Sequence, residues 1–186
     1  PTTYSEAARV LNDYGLSPRV APSIRTLIER GVAGCIADTP GANDPVFDRV
    51  THLLCATNAM ARQAAVAAAQ SRGYRTTVLP DLVTGEASDA ARRFMRAAEV
   101  TTREHPGQRV CLIGGGETTV TLGPAPGRGG RNQEFALAAA SALSSCRNAT
   151  LASIGTDGND GTTDAAGAIA DTTTLARAVA LGLDDE

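Results

Sequence analysis

Apolar positions change their period along the chain, and that change separates two regions. In residues 1–48 the apolar positions recur at helical spacing in two short stretches. Thr3 and Glu6 are set as a capping box for a first helix carrying Ala7, Ala8, Val10 and Leu11, which Gly15 stops. Pro22 opens a second, with Ile24, Leu27 and Ile28 on one face and Gly31 at its end. Residues 31–48, with Pro40-Gly41 and Asp44-Pro45, read as a linker. From residue 49 onward, compact apolar runs alternate with longer amphipathic ones. The pattern predicts strands at 50–56, 75–79, 109–113 and 150–154, and helices at 58–72, 86–104 and 131–144. Residues 80–85 and 123–130 read as loops, 117–122 as an antiparallel-type strand, 165–170 as a further strand and 172–181 as a last helix.

Alternating strands and helices at this spacing predict an α/β fold. It is a three-layer α/β/α arrangement with a mostly parallel, mixed, Rossmann-like sheet, preceded by a short helical segment. The expected domains are 1–48 and 49–186. Ligands of such sheets gather beyond the carboxyl ends of the strands. The glycine-rich loops after residue 113, before residue 131 and after residue 154 are expected to meet there.

Composition narrows the choices. Aromatics make up 3% of the residues and tryptophan is absent, so small aliphatic side chains must build the core. The net charge of -3 argues against nucleic-acid binding by bulk electrostatics. All 17 basic residues are arginine, which excludes a Walker-type phosphate loop within this chain because that loop needs a lysine. The four cysteines, Cys35, Cys55, Cys111 and Cys146, are widely spaced and read as reduced thiols of a cytoplasmic protein. No run of about 18 apolar residues suggests a membrane span. His52 and His105 have no partners at catalytic spacing.

Three loops carry candidate chemistry. Residues 127–134 (Gly-Arg-Gly-Gly-Arg-Asn-Gln-Glu) place Arg128 and Arg131 on a glycine-rich loop opening onto a helix. Two guanidinium forks beside a positive helix end describe an anion site. The alternative is a surface loop with solvated arginines, its helix capped by Asn132. Gly114, Gly115, Gly116, Glu117 and Thr118 form either an amide and hydroxyl cradle for an anion or a tight turn between strands. The run does not fit a dinucleotide fingerprint. Asp157, Asp160 and Asp164 lie within eight residues, which suits Mg²⁺ or a proton acceptor, or is a cluster of Asp-Gly turns. Asn58 is a candidate ligand contact or a helix N-cap.

Taken together, residues 114–121, 127–134 and 155–167 resemble the C-terminal signature of type II glycerate kinases, the family of the MOFRL domain, also labelled hydroxypyruvate reductases. Asp44-Pro45-Val46-Phe47, Ala56-Thr57-Asn58 and Gly85-Glu86-Ala87 extend the resemblance over nearly the whole chain. It implies ATP-dependent phosphorylation of D-glycerate at the 2-hydroxyl, with ATP and Mg²⁺ in use and a homodimer compatible. It also implies a further N-terminal lobe before residue 1, carrying a lysine, with the active site in the cleft between lobes. By matched motif and chemistry, Arg131, joined by Arg128, would clamp carboxylate or phosphoryl. Residues 114–116 and Thr118 would cradle an anion, and Asn132 and Asn58 would contact substrate. Glu117 would orient an arginine, while Asp157 and Asp160 would hold Mg²⁺ or accept the hydroxyl proton. An NAD(P)H-dependent hydroxypyruvate reductase and a non-catalytic sugar-acid or nucleotide-binding module are the competing readings.

Overall fold

The computed structural model describes residues 2–124 and 127–183, so residues 125 and 126 of the loop expected at 123–130 fall outside the description. The chain divides into two units, Pro1–Leu54 and Cys55–Glu186.

The first unit is a helical pair. Helix α1 (Tyr4–Asp13) starts with the capping box its sequence announces: the Glu6 N–H donates to the Thr3 hydroxyl, and the Thr3 N–H donates to the Glu6 carboxylate at 2.8 Å. Helix α2 (Pro22–Val32) has Pro22 in its first turn. The pair closes where the Tyr4 ring lies against Gly31. A Cβ at residue 31 would sit 2.1 Å from the ring, so only glycine admits that approach. A short 3₁₀ turn, Pro45–Arg49, follows the linker.

The second unit is α/β. It begins with α3 (Asn58–Ser71) and β1 (Arg75–Val78), continues through β2 (Val83–Glu86) into the long helix α4 (Ala87–Glu104), and returns as β3 (Val110–Ile113) and β4 (Gly116–Thr119). Helix α5 (Arg131–Ser144), β5 (Thr150–Ile154), β6 (Gly167–Asp171) and α6 (Thr174–Ala180) complete it. The described strands form three pairs: β1 with β3 and β2 with β4, both parallel, and β5 with β6, antiparallel. The register shifts between the two parallel pairs, from Val78 opposite Ile113 to Val83 opposite Gly116. Four residues of one chain segment thus bulge against two of the other.

The core matches the composition. Ala87, Ala90 and Ala91 of α4 meet Ala136, Ala139 and Ala140 of α5, with Phe135, Leu143, Leu151 and Ala170 around them. Methyl side chains let the two helices approach closely, and Phe94 and Phe135 fill the remaining volume edge to face, 5.8 Å apart. Helix α5 also packs on β5 and β6, whose Leu151 and Ala170 join the same cluster.

Three local expectations are corrected. Residues 50–56 form no strand, and Leu53 and Leu54 are 82% and 78% exposed. An apolar run states a preference for burial, whereas a strand also needs a partner edge, on which the pattern is silent. Residues 83–86, expected within a loop and a helix start, are β2. Residues 116–119 pair in parallel with it instead of forming an antiparallel excursion. Among the described residues no helix is long and apolar enough to cross a membrane.

Candidate functional site

Helix α5 begins without a capping side chain of its own. Its N-cap is Gly130, in an extended conformation at φ −160°, which contributes no side-chain acceptor. The acceptor comes from the acidic loop 28 residues further along. Asp160 Oδ1 accepts from the Asn132 backbone N–H at 2.9 Å and its side-chain amide at 3.0 Å. Asp160 Oδ2 accepts from the Gln133 backbone N–H at 2.8 Å and its side-chain amide at 3.0 Å. Four donors from two consecutive residues therefore enclose one carboxylate, which is only 2% exposed. Burial alone would push its pKa up. The hydrogen bonds from Asn132 and Gln133 outweigh that and hold it below the ordinary carboxylate value.

Glycines make the approach possible. A Cβ on Gly130 would lie 2.4 Å from the Asp160 carbonyl carbon and 2.5 Å from both its Cγ and the Gly161 nitrogen. One on Gly161, which is also left-handed at φ +61°, would lie 2.0 Å from the Gly129 oxygen. Of the three loops expected to converge, those before residue 131 and after residue 154 meet backbone against backbone. Ser153 donates to Asn132 Oδ1 at 2.8 Å, and Gln133 Nε2 also donates to the Thr163 hydroxyl at 2.8 Å. Thr163 in turn donates to the Asp160 carbonyl at 2.8 Å.

Arg131, the first residue of α5, turns away from this knot toward β4. Its Nη1 donates to Glu117 Oε1 at 2.9 Å, with the arginine side chain 41% exposed and the glutamate 73% exposed. Among the described residues the guanidinium thus has one side-chain partner, and the arginine side chain stays part-exposed to solvent. Arg128 is exposed one turn of chain earlier.

Asn58 lies over the glycine turn. A Cβ on Gly115 would sit 2.6 Å from both polar atoms of the Asn58 side-chain amide. The N-cap of α3 is Thr57, whose hydroxyl accepts from the Met60 N–H at 3.2 Å, so the capping role considered for Asn58 belongs to its neighbour. Gly114 faces Phe94 and Val83, and Gly116 is pressed against the backbone of Val83. Both positions are thereby required for packing. Thr118 is 9% exposed, one of the few buried polar residues of this unit. The neighbouring segment is fastened by Glu86, whose carboxylate accepts from the Thr121 N–H and hydroxyl, each at 3.0 Å.

The aspartates expected to act together are separated by role. Asp157 is exposed and accepts from the Asn159 N–H at 3.2 Å, closing its own turn. Asp160 spends both oxygens on α5. Mg²⁺ held between the two does not fit: the Asp160 carboxylate is enclosed by four N–H donors. Among the described residues no group of three His, Cys, Asp or Glu side chains could hold a metal ion. Asn132, expected as cap or ligand contact, is instead a donor to Asp160 and an acceptor for Ser153. Gln133, Ser153 and Thr163, which hold the knot, were not singled out from sequence. The signal available was Asn-Gln at the second and third positions of a helix whose N-cap is glycine.

Residues 110–186 match the MOFRL family. Over its whole length the chain is 38% identical to the glycerate 2-kinase of Pyrococcus horikoshii, of which it spans 42%. It is also 34% identical to an Agrobacterium vitis protein provisionally named hydroxypyruvate reductase, covering 99% of this chain and 40% of that one. The crystal structure of the Thermotoga maritima glycerate kinase superposes on 98% of this chain and 41% of its own, with a TM-score of 0.69 at 33% identity. The chain therefore spans well under half the length of these relatives. Residues 110–186, with α5, its carboxylate cap and the loop of Asp157, are a MOFRL-family segment in a chain similar throughout to a portion of the glycerate kinases.

Proposed function

We propose that this chain supplies the anion-clamping part of a kinase that transfers a phosphoryl group from ATP to the 2-hydroxyl of D-glycerate. The observation that carries the proposal is Arg131: a guanidinium at the start of α5, paired with Glu117 and part-exposed to solvent. Such a fork binds a carboxylate or phosphoryl group in bidentate fashion. The names of the relatives point to glycerate as acceptor. In this reading Arg131 clamps the substrate carboxylate or the transferring phosphoryl, and Arg128 adds positive charge from the exposed loop. Asn58, set over Gly115, borders the same glycine turn. In the same reading Asp157, exposed and free of arginine partners among the described residues, accepts the hydroxyl proton.

The name of the Agrobacterium vitis relative favours a second reading, reduction of hydroxypyruvate by NAD(P)H. Two features argue against it. A dinucleotide loop delivers its pyrophosphate to a helix N-terminus, yet residues 114–116 run into β4. The other glycine loop does reach a helix, but Asp160 fills that helix end.

The test is coupled-enzyme detection of ADP with D-glycerate and ATP, run beside NADH oxidation with hydroxypyruvate, for wild type and Arg131→Ala. Glycerate-dependent ADP release that falls by about 10²-fold or more in Arg131→Ala is the expected result. NADH oxidation without ADP release supports the reductase, and glycerate binding without either turnover supports a binding module.

A further inference from the structure

We propose that Asp160 is a positioning residue for Arg131. Its carboxylate fills the amide nest at the start of α5, fixes the first turn that presents the guanidinium, and reserves anion recognition for the arginine instead of the helix end. The inference rests on the proposed role of Arg131 as the clamp.

Four observations support it. Helix α5 has no cap from its own N-cap residue, so its first amides need an acceptor from elsewhere. Asp160 meets the backbone and side-chain N–H groups of both Asn132 and Gln133, at 2.8–3.0 Å. A carboxylate with two oxygens and one negative charge satisfies that set, whereas an amide or alcohol of the same size would not. Gly130 and Gly161 lack the side chains that would keep the loops apart. Finally, Arg131 precedes the two clamped residues directly, so any rotation of the first turn carries the guanidinium with it. At 2% exposure the carboxylate also blocks an incoming phosphate from the helix end. The positive end of the dipole is neutralised from within the chain, and the external anion meets Arg131.

The experiment combines three readouts on wild type, Asp160→Ala and Asp160→Asn. Hydrogen exchange of the wild-type chain should show the Asn132 and Gln133 amides protected beyond the level of an open first turn. In the variants that protection should fall. The ¹⁵N signal of the Arg131 guanidinium should shift. Sodium formate, a carboxylate small enough for the vacated nest, should restore both signals in Asp160→Ala but not in Asp160→Asn, where the side chain still occupies the space. Sodium chloride at equal ionic strength should restore neither. In turnover of D-glycerate the alanine variant should lose about 10²-fold in kcat/KM, in part recovered by formate. If Asp160→Ala fails to fold, Asp160→Asn and the wild-type exchange data still decide. Open exchange at residues 132 and 133 in wild type overturns the proposal. So does an unchanged Arg131 signal in a folded variant. Absence of glycerate turnover in wild type would sink the kinase reading alone, because the exchange and ¹⁵N readouts do not depend on it.

Discussion

Replacing Gly130 with alanine adds one methyl group at the point where two loops touch. At φ −160° the backbone there is open to any residue, so the substitution carries no conformational penalty and its effect is purely steric. The new Cβ would lie 2.4 Å from the Asp160 carbonyl carbon, 2.5 Å from its Cγ and 2.5 Å from the Gly161 nitrogen. Ordinary contact begins near 3.4 Å, so the 160–161 segment must retreat by about 1 Å. That retreat stretches every hydrogen bond from Asn132 and Gln133 to the Asp160 carboxylate. Overpacking typically costs about 1–3 kcal/mol, and weakened bonds to a buried charge cost about the same again. A loss of roughly 2–6 kcal/mol is expected by urea denaturation. Gly158→Ala is the control. At φ +83° with nothing within 4 Å of its Cβ, it should lose only the left-handed backbone penalty of about 1–2 kcal/mol. Combined with Asp160→Ala, Gly130→Ala should be non-additive by more than about 0.5 kcal/mol, since both act on one contact. Stability of Gly130→Ala within about 0.5 kcal/mol of wild type would show that the loops do not interlock as described.

Other outcomes follow from the same geometry. Leu143, 1% exposed at the end of α5, should lose about 2–5 kcal/mol on truncation to alanine, measured by urea denaturation. Glu117→Gln should change stability by less than about 1 kcal/mol, because its pair with Arg131 is solvent-exposed. It should nonetheless alter KM for D-glycerate by releasing the guanidinium. Asp171 is held down to about 2, first by the Thr173 hydroxyl, then by the Thr173 N–H and Arg177. Its folded value is depressed, so its contribution is present above the ordinary value of 3.8 and disappears as pH falls toward 2. Asp160 acts in the same direction. Thermal midpoints should therefore decline with acidification in that window, with a shallower decline in Asp171→Asn.

Local sequence settled the elements whose signals lie within one turn of chain. The capping box at Thr3 and Glu6, the alanine-rich face of α5 over Arg131–Ser144 and the strand Thr150–Ile154 carry their own periodicity and punctuation. The convergence of the 127–134 and 155–164 loops was also legible, because glycine and aspartate clusters beyond strand ends have few other places to meet. Tertiary structure alone decided what lies between segments. Val83–Glu86 is a strand because β4 offers it an edge, and its own Thr84 and Gly85 do not ask for one. Residues 50–56 have the apolar pattern of a strand but do not take strand conformation. Asp160 reads as a metal ligand among other aspartates until the fold sets it against amides 28 residues earlier, where hydrogen bonds give its carboxylate a structural partner. Arg131 could be picked out by its charge and loop, but only the fold could show that Asp160 already fills its helix end and that its part-exposed guanidinium pairs with Glu117.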